Sequence, residues 1–167
     1  MKTSEAREIG AKITAGVHFP GGPGVDWSQL SGGTAWSADL LARLAILVGT
    51  EAIEYVSGYV DEHDRIHGEL VVLTRSRIVR AEFSASGSSG RFALDADVFA
   101  VSRSTIARVT LESVIPWGAD GDEDWPHAVS AVVTTIDDKT FRLPLVSGRA
   151  SLRQTATAEL ISTLMTE

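Results

Sequence analysis

The chain has 167 residues, 44% of them apolar and 22% charged, with 15 Gly and 5 Pro, which matches one globular domain able to bury a real core. Fifteen basic residues against twenty-two acidic ones leave a formal charge of −7, so neither nucleic acid nor an anionic membrane is the expected partner. There is no Cys, which removes disulfides, thiolate nucleophiles and Cys-ligated zinc or iron–sulfur centres.

Met1 to Glu8 is followed by no continuous apolar run, so a secretory signal is not expected and a cytoplasmic location is. Ser4 to Ala15 predicts a short helix, and Phe19-Pro20-Gly21-Gly22-Pro23-Gly24 denies any regular ladder. Residues 1–34 thus read as an arm or linker whose Ile13, Val17, Phe19, Trp27 and Leu30 lack the periodicity to fold alone and are suited to docking on a neighbour. A helix is predicted over 35–50, with Thr34 or Ser37 as N-cap, Leu40, Leu41, Leu44, Leu47 and Val48 as its apolar stripe, and Gly49 at its C-cap. The window Leu40 to Val48 is interrupted by Arg43 and is well short of the roughly 20 apolar residues that span a bilayer.

From residue 52 the period falls to two. Ile53, Tyr55, Ser57 and Tyr59 alternate with Glu54, Val56, Gly58 and Val60, and Asp61 to Arg65 is a turn. Leu70 to Leu73 and Ile78 to Phe83 flank Thr74-Arg75-Ser76 as a tight hairpin, and Ser84 to Gly90 reads as a Ser/Gly loop. Further strands are predicted over about Phe92 to Val101, with a break near Asp95, and about Thr105 to Ser113. Ile115 to Pro126 holds two prolines, two glycines and four acids and is an exposed loop. Ala128 to Ile136 and Phe141 to Leu145 form another hairpin around Asp137-Asp138-Lys139. Ser151 and Gln154 open a last helix with a capping box, and Leu152, Ala156, Leu160, Ile161, Leu164 and Met165 form its stripe.

Hairpin-linked strands favour antiparallel pairing, and an amphipathic terminal helix must bury its stripe on a sheet. The expected class is α+β, mainly β: a partly open antiparallel barrel of about seven strands capped by the C-terminal helix, over residues 51–167. Residues 51–165 resemble the bacterial pleckstrin-homology-like domains, related to GRAM domains. The resemblance is carried by Gly68-Glu69-Leu70-Val71-Val72-Leu73-Thr74-Arg75-Ser76-Arg77-Ile78-Val79, by Phe99 to Val109 with its polar corner leading into Ile106 and Val109, and by Phe141-Arg142-Leu143-Pro144 with the last helix. It implies a scaffold for peptide, lipid or self-association surfaces. The Lys/Arg cluster that membrane-binding relatives of that fold carry in the first hairpin is replaced here by Asp61-Glu62-His63-Asp64-Arg65.

Candidate sites stand beside plainer readings. His63 and His67 with Asp61, Glu62 and Asp64 are the densest set of metal-ligand types, against the reading of a solvated hairpin tip, which is preferred. Asp120, Asp122, Glu123 and Asp124 fail as a calcium loop because Trp125 stands where the sixth-position glycine belongs. No Gly-x-Ser-x-Gly elbow exists, His18, His63, His67 and His127 are scattered, and Gly21-Gly22-Pro23-Gly24 lacks the Lys-Ser/Thr of a phosphate loop. No catalytic, cofactor or metal residue is therefore assigned. Arg75, Arg77, Arg80, Arg103 and Arg108 form either a basic face or cross-strand pairs with Glu69, Glu82 and Glu112, the pairs being preferred. Arg75, Arg77, Arg103, Trp117 and Trp125 remain as candidate partner or ligand contacts, core packing being the preferred reading of the two tryptophans. The expected role is a non-enzymatic module that binds a protein partner or itself through a sheet edge, a loop or residues 1–34. The alternative is a small-ligand or lipid-headgroup site at the open barrel end near Arg75, Arg103 and the loop Ser84 to Gly90.

Overall fold

The computed structural model describes residues 2–18, 33–62, 66–88, 91–114, 129–145 and 151–164. The chain divides into two compact units, Met1–Arg103 and Ser104–Glu167. Among the described residues it is α+β, with mostly antiparallel strands in two sheets and three α-helices.

The first unit opens with α1 (Thr3–Ala15). Glu5 sits in its first turn and accepts the Lys2 backbone N–H at 2.6 Å, which satisfies a donor the helix itself cannot. Glu8 and Lys12 pair one turn apart at 2.9 Å, the favourable order for such a pair. Helix α2 (Gly33–Val48) follows. Trp36, Leu40, Leu44 and Val48 recur every four residues and are buried to 1% exposure or less. This extends the predicted stripe by one turn to Trp36, whose ring stacks on Phe83 with centroids 5.6 Å apart. Gly49 ends the helix at φ +68° and donates its N–H to the Ala45 carbonyl at 2.9 Å, the left-handed cap its position predicts.

The larger sheet has the order β1-β2-β3-β4-β5, from β1 (Val17–His18), β2 (Ile53–Glu62), β3 (Ile66–Thr74), β4 (Arg77–Ser88) and β5 (Arg91–Ser102). The last four form an antiparallel meander, and β1 adds to β2 in parallel, Val17 facing Gly58. Part of the stretch read as an arm is thus a helix and an added strand. Gly16 makes that joint: a Cβ there would collide with the Val56 side chain, so only glycine lets the end of α1 close on β2.

One face of this sheet carries Val60, Ile66, Leu70, Val72, Val79, Ala81, Phe83 and Ala85, buried in a single cluster with Ile13, Val17 and the α2 stripe. Two expectations are corrected here. Ser84 to Ser88 belong to β4 rather than to a loop, because each pairs with β5 (Ser84 with Asp95, Ala85 with Leu94, Ser86 with Ala93) and Ala85 continues the buried row of Val79, Ala81 and Phe83. The strand through Asp95 is unbroken for the same reason: its acids alternate with Leu94, Ala96 and Val98, which pack on the helix side.

The second unit contains β6 (Ile106–Val114), β7 (Val129–Thr135) and β8 (Thr140–Leu143) in that order, then α3 (Ser151–Leu164). Val129, Ala131, Val133 and Thr135 alternate inward along β7. The turn to β8 places Asp138 at φ 59° and is closed by Thr135 N–H to the Lys139 carbonyl at 2.9 Å. Pro144, which has no N–H, follows the last ladder residue. In α3, Thr157, Leu160, Ile161 and Leu164 are buried, Ile161 against Val129, Ala131 and Val109. Among the described residues the strands form two separate ladders and not the closed wall of a barrel. The acidic loop over 115–126, with Trp117 and Trp125, the Phe19–Gly24 stretch, Trp27, Leu30, His63 to Arg65 and the side chains of Leu152 and Ala156 lie outside the described residues.

Substituting Gly16→Ala is expected to cost about 1–3 kcal/mol, the usual range for forcing an atom into a filled site, measured by urea denaturation. Pairing it with Val56→Gly, which removes both the Cβ and the Cγ1 that crowd the site, should cost less than the two losses added together; strictly additive losses would show that the two side chains never meet.

Candidate functional site

The arginines that the sequence offers as a basic face can be followed one by one. Arg77 donates from Nη1 to the Leu47 carbonyl at 2.8 Å, and its Nε stands 3.3 Å from a Glu51 oxygen. Glu51 also accepts the Thr74 hydroxyl (2.8 Å), the Ser76 N–H (3.0 Å) and the Ser76 hydroxyl (2.7 Å). Arg103 has a side chain only 3% exposed, and its Nη1 bonds Glu54 at 2.6 Å and the Thr74 carbonyl at 3.0 Å. Its own N–H donates to the Ser76 carbonyl at 2.8 Å. Two cations and two carboxylates therefore clasp the β3–β4 turn to the end of α2 and to the start of β2. Arg77 and Arg103 serve the fold at this corner, whereas Arg75 is exposed and forms no ion pair among the described residues.

Of the remaining arginines in that set, Arg80 follows the cross-strand pairing expected of it. Arg80 on β4 bonds Glu69 on β3 at 2.7 Å and stands 3.6 Å from Glu82. Glu112 is met by Arg142 across β7 at 2.6 Å, while Arg108 is exposed without an ion pair among the described residues. Of the metal-ligand set, Asp61 and His67 are described and lie 3.9 Å apart. Among the described residues no group of three or more His, Asp or Glu is placed to hold a metal ion. No helix among them is long and apolar enough to cross a membrane.

A different feature emerges on the face of the larger sheet that points away from α1 and α2. Near the β3–β4 turn this face is apolar, with Tyr55, Val71, Leu73 and Ile78 buried. Farther along it becomes charged. The register sets Tyr59, Glu69, Glu82 and Asp97 in one row across four strands, and Asp61, His67, Ser84 and Asp95 in the next. Glu69 beside Glu82 beside Asp97 is a run of like charges at directly opposed positions, which costs stability unless something offsets it. Arg80 offsets part of it. The Tyr59 hydroxyl is held above its ordinary pKa, first by burial and then by the charges of Glu69, Glu82 and Asp61.

This row ends at the edge of the sheet. Strand β5 pairs with β4 on one side and with no strand on the other among the described residues. Along 93–98 the only described bonds are those of the β4 ladder, so alternate N–H and C=O groups face outward with no strand partner among the described residues. The same position leaves apolar surface open. Val79, Ala81, Phe83 and Ala85 on β4 are 4% exposed or less, whereas Leu94, Ala96 and Val98, one strand farther out on the same face, are only partly buried. On the opposite face Ala93, Asp95 and Asp97 are exposed.

Sequence reasoning missed Asp95 and Asp97 as site residues. The local signal was present in the alternation Leu94-Asp95-Ala96-Asp97-Val98, but the edge position that gives it meaning is a property of the pairing order. No family model, curated protein or solved structure matches the chain.

The corner clasp has a pH signature. Hydrogen bonds from Ser76 and Thr74, with the nearby Arg77, hold the Glu51 carboxyl below its ordinary value of 4.5. A carboxylate whose folded-state pKa is lowered adds stability above the unfolded value and loses it as pH falls through the folded one. Glu51→Gln is expected to cost about 1–2 kcal/mol at pH 7, with the difference from wild type shrinking as pH drops below 4.5 in chemical denaturation. A gap unchanged down to pH 3 would show that the charge of Glu51 has no part in the clasp.

Proposed function

We propose that the chain is a pleckstrin-homology-like, non-enzymatic interaction module that takes up an extended segment, from another protein or from a second copy, along the outer edge of β5. The order of a four-stranded meander, a three-stranded meander and a terminal helix supports the family reading, and the resemblance in residues 51–165 agrees with it. The observation that carries the functional reading is the edge at 93–98, which pairs with no further strand among the described residues. Natural sheets keep edge strands short, bulged or covered because an open ladder recruits other strands. β5 is a regular strand of 12 residues, and its register with β4 runs from Arg91 to Ser102 without a shift. Backbone pairing along such an edge supplies affinity, and the alternating side chains supply selectivity. A headgroup site would draw on Arg75 and Arg103, and Arg103 is held by the Glu54 carboxylate of the fold.

Amide hydrogen exchange on the dilute full-length chain tests this. Every second amide along 93–98 should exchange without protection while its neighbours are slow. Protection that grows on concentrating the protein would identify a second copy as the occupant, and concentration-independent exposure would identify another protein. Uniformly slow exchange along 93–98 in the dilute monomer would mean that the edge is already covered, and the reading would fall.

A further inference from the structure

Resting on that edge reading, we infer that the occupant of the β5 edge is an extended segment of a partner protein in which basic and apolar residues alternate. A strand added at 93–98 places its side chains by turns on the two faces of the sheet. Those on one face meet the partly buried Leu94, Ala96 and Val98, which continue the core surface of α2 and β4. Those on the other face meet Asp95 and Asp97, with Glu82 directly opposite Asp97 and Glu69 beyond it. Among the described side chains these four carboxylates face one counter-charge, Arg80, which is bonded to Glu69 and reaches Glu82. A Lys or Arg on the incoming strand stands in the cross-strand position beside Asp95 or Asp97 and relieves the repulsion along that row.

The same charges select against a second copy. In an antiparallel pairing of two β5 edges centred on 95–97 that keeps apolar side chains together, Asp95 or Asp97 of one chain stands opposite Asp95 or Asp97 of the other. Like charges are then set against like, between chains that each carry a formal −7. Acidic residues thus disfavour self-association in those registers and favour a basic strand, which is specificity gained through a repulsive element. The free stretch of six residues corresponds to about 20 Å, so a segment of similar length suffices.

The test uses the full chain and three short, end-blocked synthetic peptides: one alternating lysine with valine and threonine, one with glutamate in place of lysine, and one with the lysines and apolar residues segregated into blocks. Binding is read by fluorescence anisotropy at low and high salt, and its location by amide exchange. The alternating lysine peptide is expected to bind, to protect the outward amides of 93–98, and to bind at least tenfold better than either control. The exposed pair Asp95→Lys/Asp97→Lys, with its fold checked by circular dichroism, should weaken the lysine peptide about tenfold, as the loss of two exposed ion pairs would, and should favour the glutamate peptide instead. Equal binding of the lysine and glutamate peptides would overturn the basic specificity while leaving the edge reading intact. So would lysine-peptide binding that the double variant does not alter. Binding without protection at 93–98 would overturn the edge itself, and no binding by any peptide to a chain whose edge amides exchange freely would overturn the inference.

Discussion

The packing of the α2 stripe on one face of the larger sheet is the contact on which the rest of the first unit depends. Trp36, Leu40, Leu44 and Val48 are almost wholly buried, and at about 1.5–3 kcal/mol for each such side chain their burial is of the same order as the net stability of a whole domain. No exposed ion pair competes at that scale, since each contributes about 1 kcal/mol or less. This packing decides which residues of β2 to β5 point inward. The alternation of every strand then follows, and with it the placing of Glu69, Glu82, Asp95 and Asp97 together on the other face.

The covering helices stop short of completing the sheet. On β4 the inward side chains are sealed, while on β5 the equivalent Leu94, Ala96 and Val98 keep part of their surface. An edge strand has a neighbour on one side only, so both its backbone groups and its apolar side chains remain half satisfied. In this chain the exposed half also carries a strong negative charge. Among the described residues, a ladder with no further strand, a strip of partly open apolar surface and a row of carboxylates thus coincide along the same short segment.

The arginines show how charge that looks functional in one dimension becomes structural in three. Arg75, Arg77 and Arg103 all lie near the β3–β4 turn or its neighbour in space, and a basic face is a fair reading of them in sequence. Two of the three instead meet Glu51 and Glu54 at a corner where backbone carbonyls of Leu47 and Thr74 also need donors. A guanidinium serves such a place well, because its planar fork can satisfy a carboxylate and a carbonyl at once. The chemistry that remains at the surface of this sheet is accordingly acidic.

Helix α2 was legible in the sequence down to Gly49, because a period near 3.6 and a glycine at the cap are local properties of the chain. The alternation of β2, β7 and β8, the β3–β4 turn and the pairing of Arg80 with Glu69 and Glu82 were legible for similar reasons. The strand character of Ser84 to Ser88 was hidden, since small polar residues carry little period of their own and gain it from pairing with Ala93, Leu94 and Asp95. So was the added strand Val17–His18, which depends on Gly16 closing against Val56. The amino-acid order by itself determined where the chain turns, which residues seek the interior and how acidic the whole is. Only the tertiary structure decided which strand lies at an edge among the described residues and which carboxylates stand side by side, because both depend on hydrogen-bond partners distant in sequence, which no local pattern encodes.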